Sequence, residues 1–220
     1  MIYCAIIGDI KSSKNLSDRG LTQDKLNEVL SYINKKYEND IAADFLITIG
    51  DEFQGLTTDS FIILDIIQYI QRTMYPVEIR YGIGLGEITT KINRNAAIGA
   101  DGPAFWAARE AINRIHDDEQ SYKKQAPDIM TGVYLSNKFR INEINTMLLS
   151  LKAIENSWSE TVRITVWDMM THHDTQIECA KRLNVNRATV TKRLSDGNYY
   201  IYIKVLDTIK NSIQLLKAEI

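Results

Sequence analysis

The sequence predicts an α+β protein in which a sandwich of sheet and helices is followed by an all-helical segment. Up to about residue 135, apolar runs rich in β-branched residues alternate with helical periodicity, in the order β α β β α β α β. From about residue 140 onward, every periodic segment is helical. The first six elements follow the split βαβ pattern, so we expect a ferredoxin-like sheet extended by one helix and one strand.

The composition is that of an ordinary globular chain. Its 220 residues are 45% hydrophobic and 25% charged, with a net charge of -2, which suits one large core or two unequal ones. No apolar run approaches the roughly 20 residues of a bilayer span, and the N-terminus lacks a basic region or cleavage pattern. We therefore expect a cytoplasmic protein without membrane contact. Cys4 and Cys179 stand far apart and predict core positions, not a disulfide or metal cluster.

The first three strands and the first helix have clear signals. Residues 2–8 are an apolar run that ends at Gly8-Asp9, as a buried strand would. A helix follows, with apolar residues at near-helical spacing at positions 21, 26, 29, 30 and 33. Residues 44–56, DFLITIGDEFQGL, predict a hairpin whose bend holds Gly50 and Asp51.

The rest of the sandwich is equally patterned. A helix over 61–74, capped by Thr58, Asp59 or Ser60, ends before Pro76, and a strand with period-two alternation covers 77–89. Residues 100–115 predict a helix with Pro103 in its first turn and a face of small alanines. A last strand is expected near 129–135. We place the domain boundary near residue 150, giving domains 1–150 and 151–220, with residues 155–160, ENSWSE, as the joint.

Asp9 and Asp51 are the candidate catalytic and metal-binding acids. Asp9 ends the first strand and Asp51 lies in the hairpin bend, and these elements are central neighbours in a split βαβ sheet. Two facing carboxylates need a cation between them, and oxygen ligands suit Mg²⁺ or Mn²⁺. Alternation along the strand directs Glu52 away from Asp51, toward an outward or secondary role. The alternative is that Asp9 caps its loop and Asp51 is a turn residue.

Basic and hydroxyl side chains near these acids are candidate phosphate ligands. The KSSK loop after Asp9 exposes amides before a helix, so it could hold a phosphate chain. Arg80 could reach a phosphate or pair with Glu78 or Glu87. The three histidines, at 116, 172 and 173, lack partners at ligand spacing and are expected to be solvated. The phosphate candidates are Lys11, Ser12, Ser13, Lys14, Gly50 and Arg80.

Several motifs resemble known families. IIGDI, TIGDEFQGL, IRYGIGLGEI and GADGPAFWAAREA resemble the palm domains of class III nucleotidyl cyclases and GGDEF-type diguanylate cyclases. GDIKSSK, GDEFQG and DGPAFWAAREA, followed by a helical tail, are similar over nearly the whole chain to the SatD family of bacterial proteins. The palm resemblance implies that Asp9, Asp51 and the Ile10 carbonyl bind divalent metals that hold a nucleoside triphosphate.

The sequence departs from the cyclase pattern at the positions that read the base and act in the reaction. Ile47 stands where adenylyl cyclases place a purine-reading lysine, and Ile49 stands in the first glycine position of GGDEF domains. Trp106 occupies the position of the transition-state asparagine, and only Arg109 comes near that of the arginine. The resemblance therefore implies metal and phosphate binding more strongly than cyclisation.

Residues 175–194 predict a helix-turn-helix. Ile177, Ala180 and Leu183 line the first helix, and the turn is Asn184-Val185-Asn186. Asn184 replaces the usual turn glycine, because asparagine tolerates a left-handed backbone. Residues 171–220 carry eight basic and five acidic side chains, which favours polyanion binding. The candidate DNA contacts are Asn186, Arg187, Thr189, Thr191, Lys192 and Arg193.

Three functional hypotheses follow. The first is a regulator in which a metal-nucleotide complex bound by the sandwich changes how the tail binds DNA. The second is a nucleotidyl cyclase or nucleotidyltransferase that makes a signalling nucleotide, with the tail as a protein-interaction module. The third is a scaffold without ligands. An apolar stripe from Tyr202 to Leu216 suits packing or dimerisation, and class III cyclase sites form between two chains, so a homodimer is possible.

Overall fold

The computed structural model describes residues 1–11, 18–48, 50–134 and 138–220. The strands are β1 (Tyr3–Ile10), β2 (Ile41–Ile47), β3 (Glu52–Thr57), β4 (Ile79–Gly86) and β5 (Ile129–Val133). The helices of the sandwich are α1 (Arg19–Lys36), α2 (Ile63–Met74) and α3 (Pro103–Tyr122), and a short 3₁₀ turn (Lys123–Gln125) follows α3. The helices of the tail are α4 (Lys138–Asn156), α5 (Glu160–His172), α6 (Gln176–Arg182), α7 (Arg187–Asp196) and α8 (Tyr199–Ala218).

The sheet has the order β2-β3-β1-β4-β5. Strand β1 is antiparallel to both β3 and β4, and β2 is antiparallel to β3. Strands β4 and β5 are parallel and joined through α3. The first four strands thus have the ferredoxin-like order, and the prediction of an α+β sandwich with one added helix and strand is confirmed.

The two faces of β1 belong to different cores. Cys4, Ile6 and Ile10 join a large buried cluster with α1, α2 and the tail helices. Ala5 and Ile7 join a smaller cluster with α3. Because side chains alternate along a strand, Asp9 lies on the same face as Ala5 and Ile7. The acid is therefore directed toward α3.

Helix α3 lies unusually close to β4. A Cβ atom added to Gly84 would lie 1.9 Å from the carbonyl oxygen of Ala104, and one added to Gly82 would lie 2.2 Å from that of Ala108. Glycines on the strand and alanines on the helix therefore let the two backbones approach. The thin alanine face predicted from the sequence serves this contact.

The tail packs on the α2 side of the sandwich. Lys210 of α8 forms an ion pair with Asp65 of α2 at 2.6 Å, and Gln68 lies 3.5 Å from the hydroxyl of Tyr202. Buried residues of the sandwich and of the tail belong to one hydrophobic cluster. Helix α4 crosses residue 150 without a break, and the chain leaves helical structure between Asn156 and Glu160. The division into domains 1–150 and 151–220 stays a prediction.

Helices α5, α6 and α7 contain the helix-turn-helix arrangement. Asn184 has a φ of 51°, the left-handed conformation expected of a turn glycine. The side chain of Asn186 accepts a hydrogen bond from the backbone N–H of Thr189 at 2.7 Å and so caps α7. One predicted core residue is wrong: Ile177 is 50% exposed, whereas Cys179 and Ala180 are buried. The buried face of α6 is therefore rotated relative to the prediction and contains Cys179 instead of Ile177.

Two further details differ from the sequence predictions. Leu21 is 66% exposed because it lies in the first turn of α1, before the helix reaches the sheet. Helix α2 begins after Ile62 without a side-chain cap, because the Asp59 carboxylate accepts from the Phe61 N–H outside the helix. Both cysteines are free and buried, as expected. Within the described ranges, every helix is too short or too polar to cross a bilayer.

Candidate functional site

The candidate site is centred on Asp9, near the end of β1. The antiparallel registers place Asp9 opposite Glu52 of β3 and opposite Arg80 of β4. Directly opposed residues point to the same side of a sheet, so these three side chains share the α3 face. The sheet thus brings together an acid, a second acid and a guanidinium from three separate strands.

Arg80 holds Asp9 in an ion pair. Its Nη1 donates to the Asp9 carboxylate at 2.7 Å, and its Nε and Nη2 donate to Glu119 of α3 at 2.9 Å and 2.7 Å. Neither Glu78 nor Glu87 is the partner, contrary to the sequence alternatives. Burial raises the pKa of Asp9 above its usual range, and the hydrogen bond and charge of Arg80 offset this only in part. A partly buried carboxylate held by Arg80 is therefore in place at the end of β1.

Asp51 lies where the hairpin bend crosses the end of β1. Its carbonyl oxygen accepts from the N–H of Ile10 at 3.3 Å. Gln23 of α1 donates to the Gly50 carbonyl, which fixes the bend, and Gly50 has a φ of 68°. The negative charge of Asp51 contributes to the raised pKa of Asp9. Among the residues that the structure describes, no hydrogen bond or ion pair engages the Asp51 carboxylate.

Glu52 and Arg109 form a second ion pair on the same face. Both guanidinium nitrogens Nη1 and Nη2 of Arg109 donate to the Glu52 carboxylate, the latter at 2.8 Å. The hydrogen bonds that Arg109 donates to Glu52 raise the pKa of Arg109. Glu52 therefore borders Asp9 on the α3 face instead of pointing outward. Trp106 donates from Nε1 to Asp101 at 2.7 Å, so both residues are engaged at the start of α3.

His116 is a site neighbour that the sequence did not identify. Its Nε2 lies 3.4 Å from the Asp9 carboxylate, although its side chain is 46% exposed. His172 likewise lies 3.7 Å from Asp168. All three histidines are exposed, as predicted, and two of them also lie close to an aspartate. The missing signal was spatial, because His116 reaches Asp9 from α3, which is far away in sequence.

Lys11 continues the ion pairs away from Asp9. Its Nζ lies 2.8 Å from Glu119 and also contacts Asp128, and Lys152 of α4 contacts the second oxygen of Asp128. Burial would raise the pKa of Glu119, but the hydrogen bonds from Arg80 and Lys11 outweigh it and hold that pKa below its usual range. We call this alternating series the charge chain; its members are Asp9, Arg80, Glu119, Lys11, Asp128 and Lys152.

The charge chain changes the interpretation of the phosphate candidates. Lys11 is committed to two carboxylates, and Arg80 to Asp9 and Glu119, before any ligand binds. Ser12, Ser13 and Lys14 lie outside the described residues. Glu119 and Asp128, which hold the two cations, were not identified from the sequence because acids on a helix and in a loop give no distinctive pattern.

The carboxylates of Asp9 and Asp51 suit a metal ion only if other ligands complete its coordination shell. The described residues contain no group of three or more His, Cys, Asp or Glu that could enclose a metal. Mg²⁺, however, is usually held by one or two carboxylates, with phosphates and waters completing its shell. Asp51, whose carboxylate has no partner among the residues described, and Asp9, which is paired with Arg80, suit an ion that arrives with phosphate. The backbone carbonyl of Ile10, the residue after Asp9, is the expected third ligand.

The candidate DNA contacts differ in their surroundings. Arg187, Thr191 and Lys192 are exposed on α7, and Lys192 forms an ion pair with Asp196 at 2.7 Å. Arg193 instead turns back toward α5, with Nη1 3.4 Å from the Thr165 hydroxyl. Asn186 and Thr189 are joined in the helix cap. The exposed face of α7 thus presents Arg187 and Lys192, while the other candidates mainly support the helix.

Comparison with known proteins assigns the family. The SatD family model matches residues 3–213, so the chain belongs to the SatD family. The comparison with curated proteins gives no match.

Solved structures give weaker likenesses. The catalytic core of a rhodopsin-guanylyl cyclase in complex with ATPαS is 19% identical, over 50% of this chain and 70% of that one, with a TM-score of 0.34. A dimeric guanylyl cyclase domain from Blastocladiella emersonii is 20% identical, over 49% and 71%, with a TM-score of 0.35. A regulator of polyketide synthase expression from Bifidobacterium adolescentis is 14% identical, over 98% and 86%, with a TM-score of 0.28. At these scores the topology described above carries the fold assignment.

Proposed function

We propose that this SatD-family protein is a regulator whose sandwich binds a divalent metal-nucleotide complex and whose helix-turn-helix binds DNA. The proposal rests on the backbone hydrogen bond from Ile10 to Asp51, which brings Asp51 beside the strand end that holds Asp9, and on the charge of Asp51 contributing to the raised pKa of Asp9. Two carboxylates at the end of a central strand suit Mg²⁺ or Mn²⁺ that carries phosphate. In this proposal Asp9, Asp51 and the Ile10 carbonyl bind the metal.

Arg80 has a defined part in the proposal. A cation shared by Asp9 and Asp51 would replace the positive charge that Arg80 now supplies to Asp9. Its guanidinium would then be available for a phosphate oxygen, while Glu119 continues to orient it. Further phosphate contacts are proposed for Gly50, in the bend, and for Ser12, Ser13 and Lys14, which follow Lys11 in sequence.

The exposed face of α7 supports the proposal that the tail binds DNA. An N-terminal cap, a left-handed turn residue and two exposed cations at Arg187 and Lys192 fit a recognition helix. Without a longer basic surface, non-specific affinity should be weak and should fall steeply with salt.

The charge chain offers a route by which nucleotide binding could influence the tail. It begins at Asp9, the proposed metal ligand, and ends at Lys152 of α4. A change in the partner of Asp9 would alter the charge that each following member experiences, because alternating ion pairs are mutually dependent. Helix α4 packs against α8, so the change would reach the tail.

The experiment that tests the proposal measures duplex DNA binding by fluorescence anisotropy at low salt. We expect affinity to change at least about threefold when a nucleoside triphosphate and Mg²⁺ are added together. Asp51→Asn should abolish the response to nucleotide but retain DNA binding. Asp117→Asn, which removes an exposed acid of α3, is the matched control. Absence of duplex binding under every condition would refute the regulatory proposal.

The enzyme hypothesis receives less support. Trp106 stands at the asparagine position and is bound to Asp101, and Arg109 is held by Glu52. Incubation with each nucleoside triphosphate and Mn²⁺, followed by chromatography of the products, distinguishes the two functions. The test should include any dimer that forms, because a second chain could complete the site.

A further inference from the structure

A cleft between the sandwich and the tail is distinct from the Asp9 site. It is bounded by α2 and the segment before β4 on one side, and by α4, α5 and α8 on the other. Its free volume is about 120 Å³, compared with about 30 Å³ for one water molecule in the liquid. The cleft therefore has room for a small compound. Residues from both parts of the chain form its walls.

Arg72 lines this cleft, and its hydrogen bonding is incomplete. Its Nη1 is buried without a hydrogen-bond partner, and it is the only charged group among the three such side-chain atoms in the described residues. Burial lowers the pKa of Arg72. Its position in the last turn of α2 suits a cation, but this does not account for a buried unpaired N–H, which normally costs stability.

Arg163 supplies a second guanidinium to the same cleft. It lies over the rings of Tyr75 and Trp167, at 5.3 Å and 5.4 Å from the ring centroids, and donates to the backbone carbonyl of Glu155 at 3.1 Å. No salt bridge to a carboxylate is formed by Arg72 or Arg163 within the described part of the chain. Two guanidinium groups thus line one cavity without an acidic partner.

The acids of the cleft are already engaged. Asp128 contacts Lys11 and Lys152. Glu155 accepts from the Tyr202 hydroxyl, and burial raises its pKa, which disfavours its negative charge. Glu78 is exposed at the mouth. Glu155 attracts Arg163 and Asp65 attracts Arg72, but neither acid forms a salt bridge with these arginines within the described part of the chain, and Arg72 Nη1 keeps an unpaired donor.

We propose that this cleft is a second ligand site, in which Arg72 and Arg163 bind the phosphoryl group of a small phosphorylated compound. Arginine forks match phosphate oxygens better than any other side chain. The rings of Tyr75 and Trp167 line the same cavity and offer an apolar surface to an organic substituent. Because the site joins the sandwich to the tail, an occupant contacts both parts.

Two probes separate the possible sources of the phosphoryl group. Inorganic phosphate represents a free anion, and phenyl phosphate adds a planar ring that could contact Trp167. Binding is followed by calorimetry and by the tryptophan fluorescence of the full chain. We expect saturable binding of phenyl phosphate, of inorganic phosphate, or of both. Tighter binding of phenyl phosphate would assign the site to phosphate esters.

The variants test whether the arginines carry the binding. Arg72→Gln and Arg163→Gln should each weaken binding about tenfold to a hundredfold, as expected for loss of a charged hydrogen bond. Arg72→Gln should not lower the melting temperature without ligand, because it removes an unpaired buried group. Lys91→Gln, an exposed cation on the loop after β4, is the matched control and should bind normally.

The result is independent of the proposed nucleotide site. Asp51→Asn should bind phenyl phosphate normally, so failure of the Asp9 site leaves this inference standing. If neither probe binds, or if both arginine variants bind as tightly as the wild type, the inference is wrong. If Arg72→Gln fails to fold, the Arg163→Gln result decides the matter.

Discussion

Arg80 and Asp9, 71 residues apart in the chain, form a 2.7 Å ion pair across the central strands β1 and β4. Their side chains are 13% and 20% exposed, so this pair is screened less than a surface salt bridge. Arg80 also binds Glu119, and it therefore fixes α3 to the sheet at the candidate site. The consequence is that one residue neutralises a candidate metal ligand and stabilises the fold.

Replacement of Arg80 should be costly. Arg80→Met leaves both Asp9 and Glu119 without their guanidinium partner, and we expect a loss of about 2–4 kcal/mol in the free energy of unfolding. Urea denaturation measures the change. Arg94→Met is the control, because its pair with Asp44 is 44% and 31% exposed and should contribute less than about 1 kcal/mol. Equal losses in both variants would contradict this account.

The close packing of β4 on α3 predicts intolerance of a methyl group at Gly84. A Cβ atom there would lie 1.9 Å from the Ala104 carbonyl oxygen, so Gly84→Ala should destabilise the protein by at least about 2 kcal/mol. Gly20→Ala is the control, since its Cβ would have Asp18 at 3.7 Å as its nearest neighbour. That change, in the first turn of α1, should be neutral or stabilising by up to about 1 kcal/mol. Thermal unfolding distinguishes the two.

Arg182 joins α5 to α6 through Asp168. Its Nε and Nη2 donate to the Asp168 carboxylate at 2.9 Å and 2.7 Å. Burial would raise the pKa of Asp168, but the hydrogen bonds from Arg182 and Cys179 outweigh it and hold that pKa below its usual range. Because the pKa of Asp168 is lower in the folded state, its ionised carboxylate stabilises the fold at pH values above the unfolded pKa of about 3.9. This stabilisation is lost as the pH falls through the folded pKa.

Asp168→Asn should therefore lower the free energy of unfolding by about 1–2 kcal/mol at pH 7. The difference from wild type should shrink once the pH drops below about 4. Asp196→Asn, which removes an exposed partner of Lys192, is the control and should change stability by less than about 0.5 kcal/mol. A difference that widens on acidification would show that the sign is wrong.

The two arginines of α7 should behave differently toward DNA. Arg187 is exposed, so Arg187→Ala should weaken duplex binding about fivefold and reduce the slope of log affinity against log salt by about 1. Arg193 reaches the Thr165 hydroxyl of α5, so Arg193→Ala should affect stability more than affinity. A larger loss of affinity for Arg193→Ala would mean that another face of α7 binds DNA.

The fold was predictable from the sequence because its signals are local. Three features each specify a short segment: the alternating apolar residues, the Gly50-Asp51 bend and the turn at Asn184. The split βαβ order of these segments then specifies the sheet. The joint at residues 155–160 coincides with the break between α4 and α5. The helix-turn-helix was recognisable although the buried position is Cys179 instead of Ile177.

The partners within the candidate site were not predictable. The sequence suggests for Arg80 either a phosphate contact or a pairing with its sequence neighbours Glu78 or Glu87, whereas it binds Asp9 and Glu119 from other elements. His116 and Asp128 approach the site or its charge chain only through tertiary packing. Only the β1–β3 register shows that Glu52 stands beside Asp9.

The most direct test of the central claim is calorimetric titration of Mn²⁺ together with a non-hydrolysable nucleoside triphosphate. We expect the wild type and Asp117→Asn to bind the complex alike. Asp51→Asn should bind it at least about tenfold more weakly, because the proposed site has only two carboxylates to hold the ion. Equal binding by Asp51→Asn and the wild type, or no binding by any of the three, would contradict the claim that Asp9 and Asp51 hold a metal-nucleotide complex.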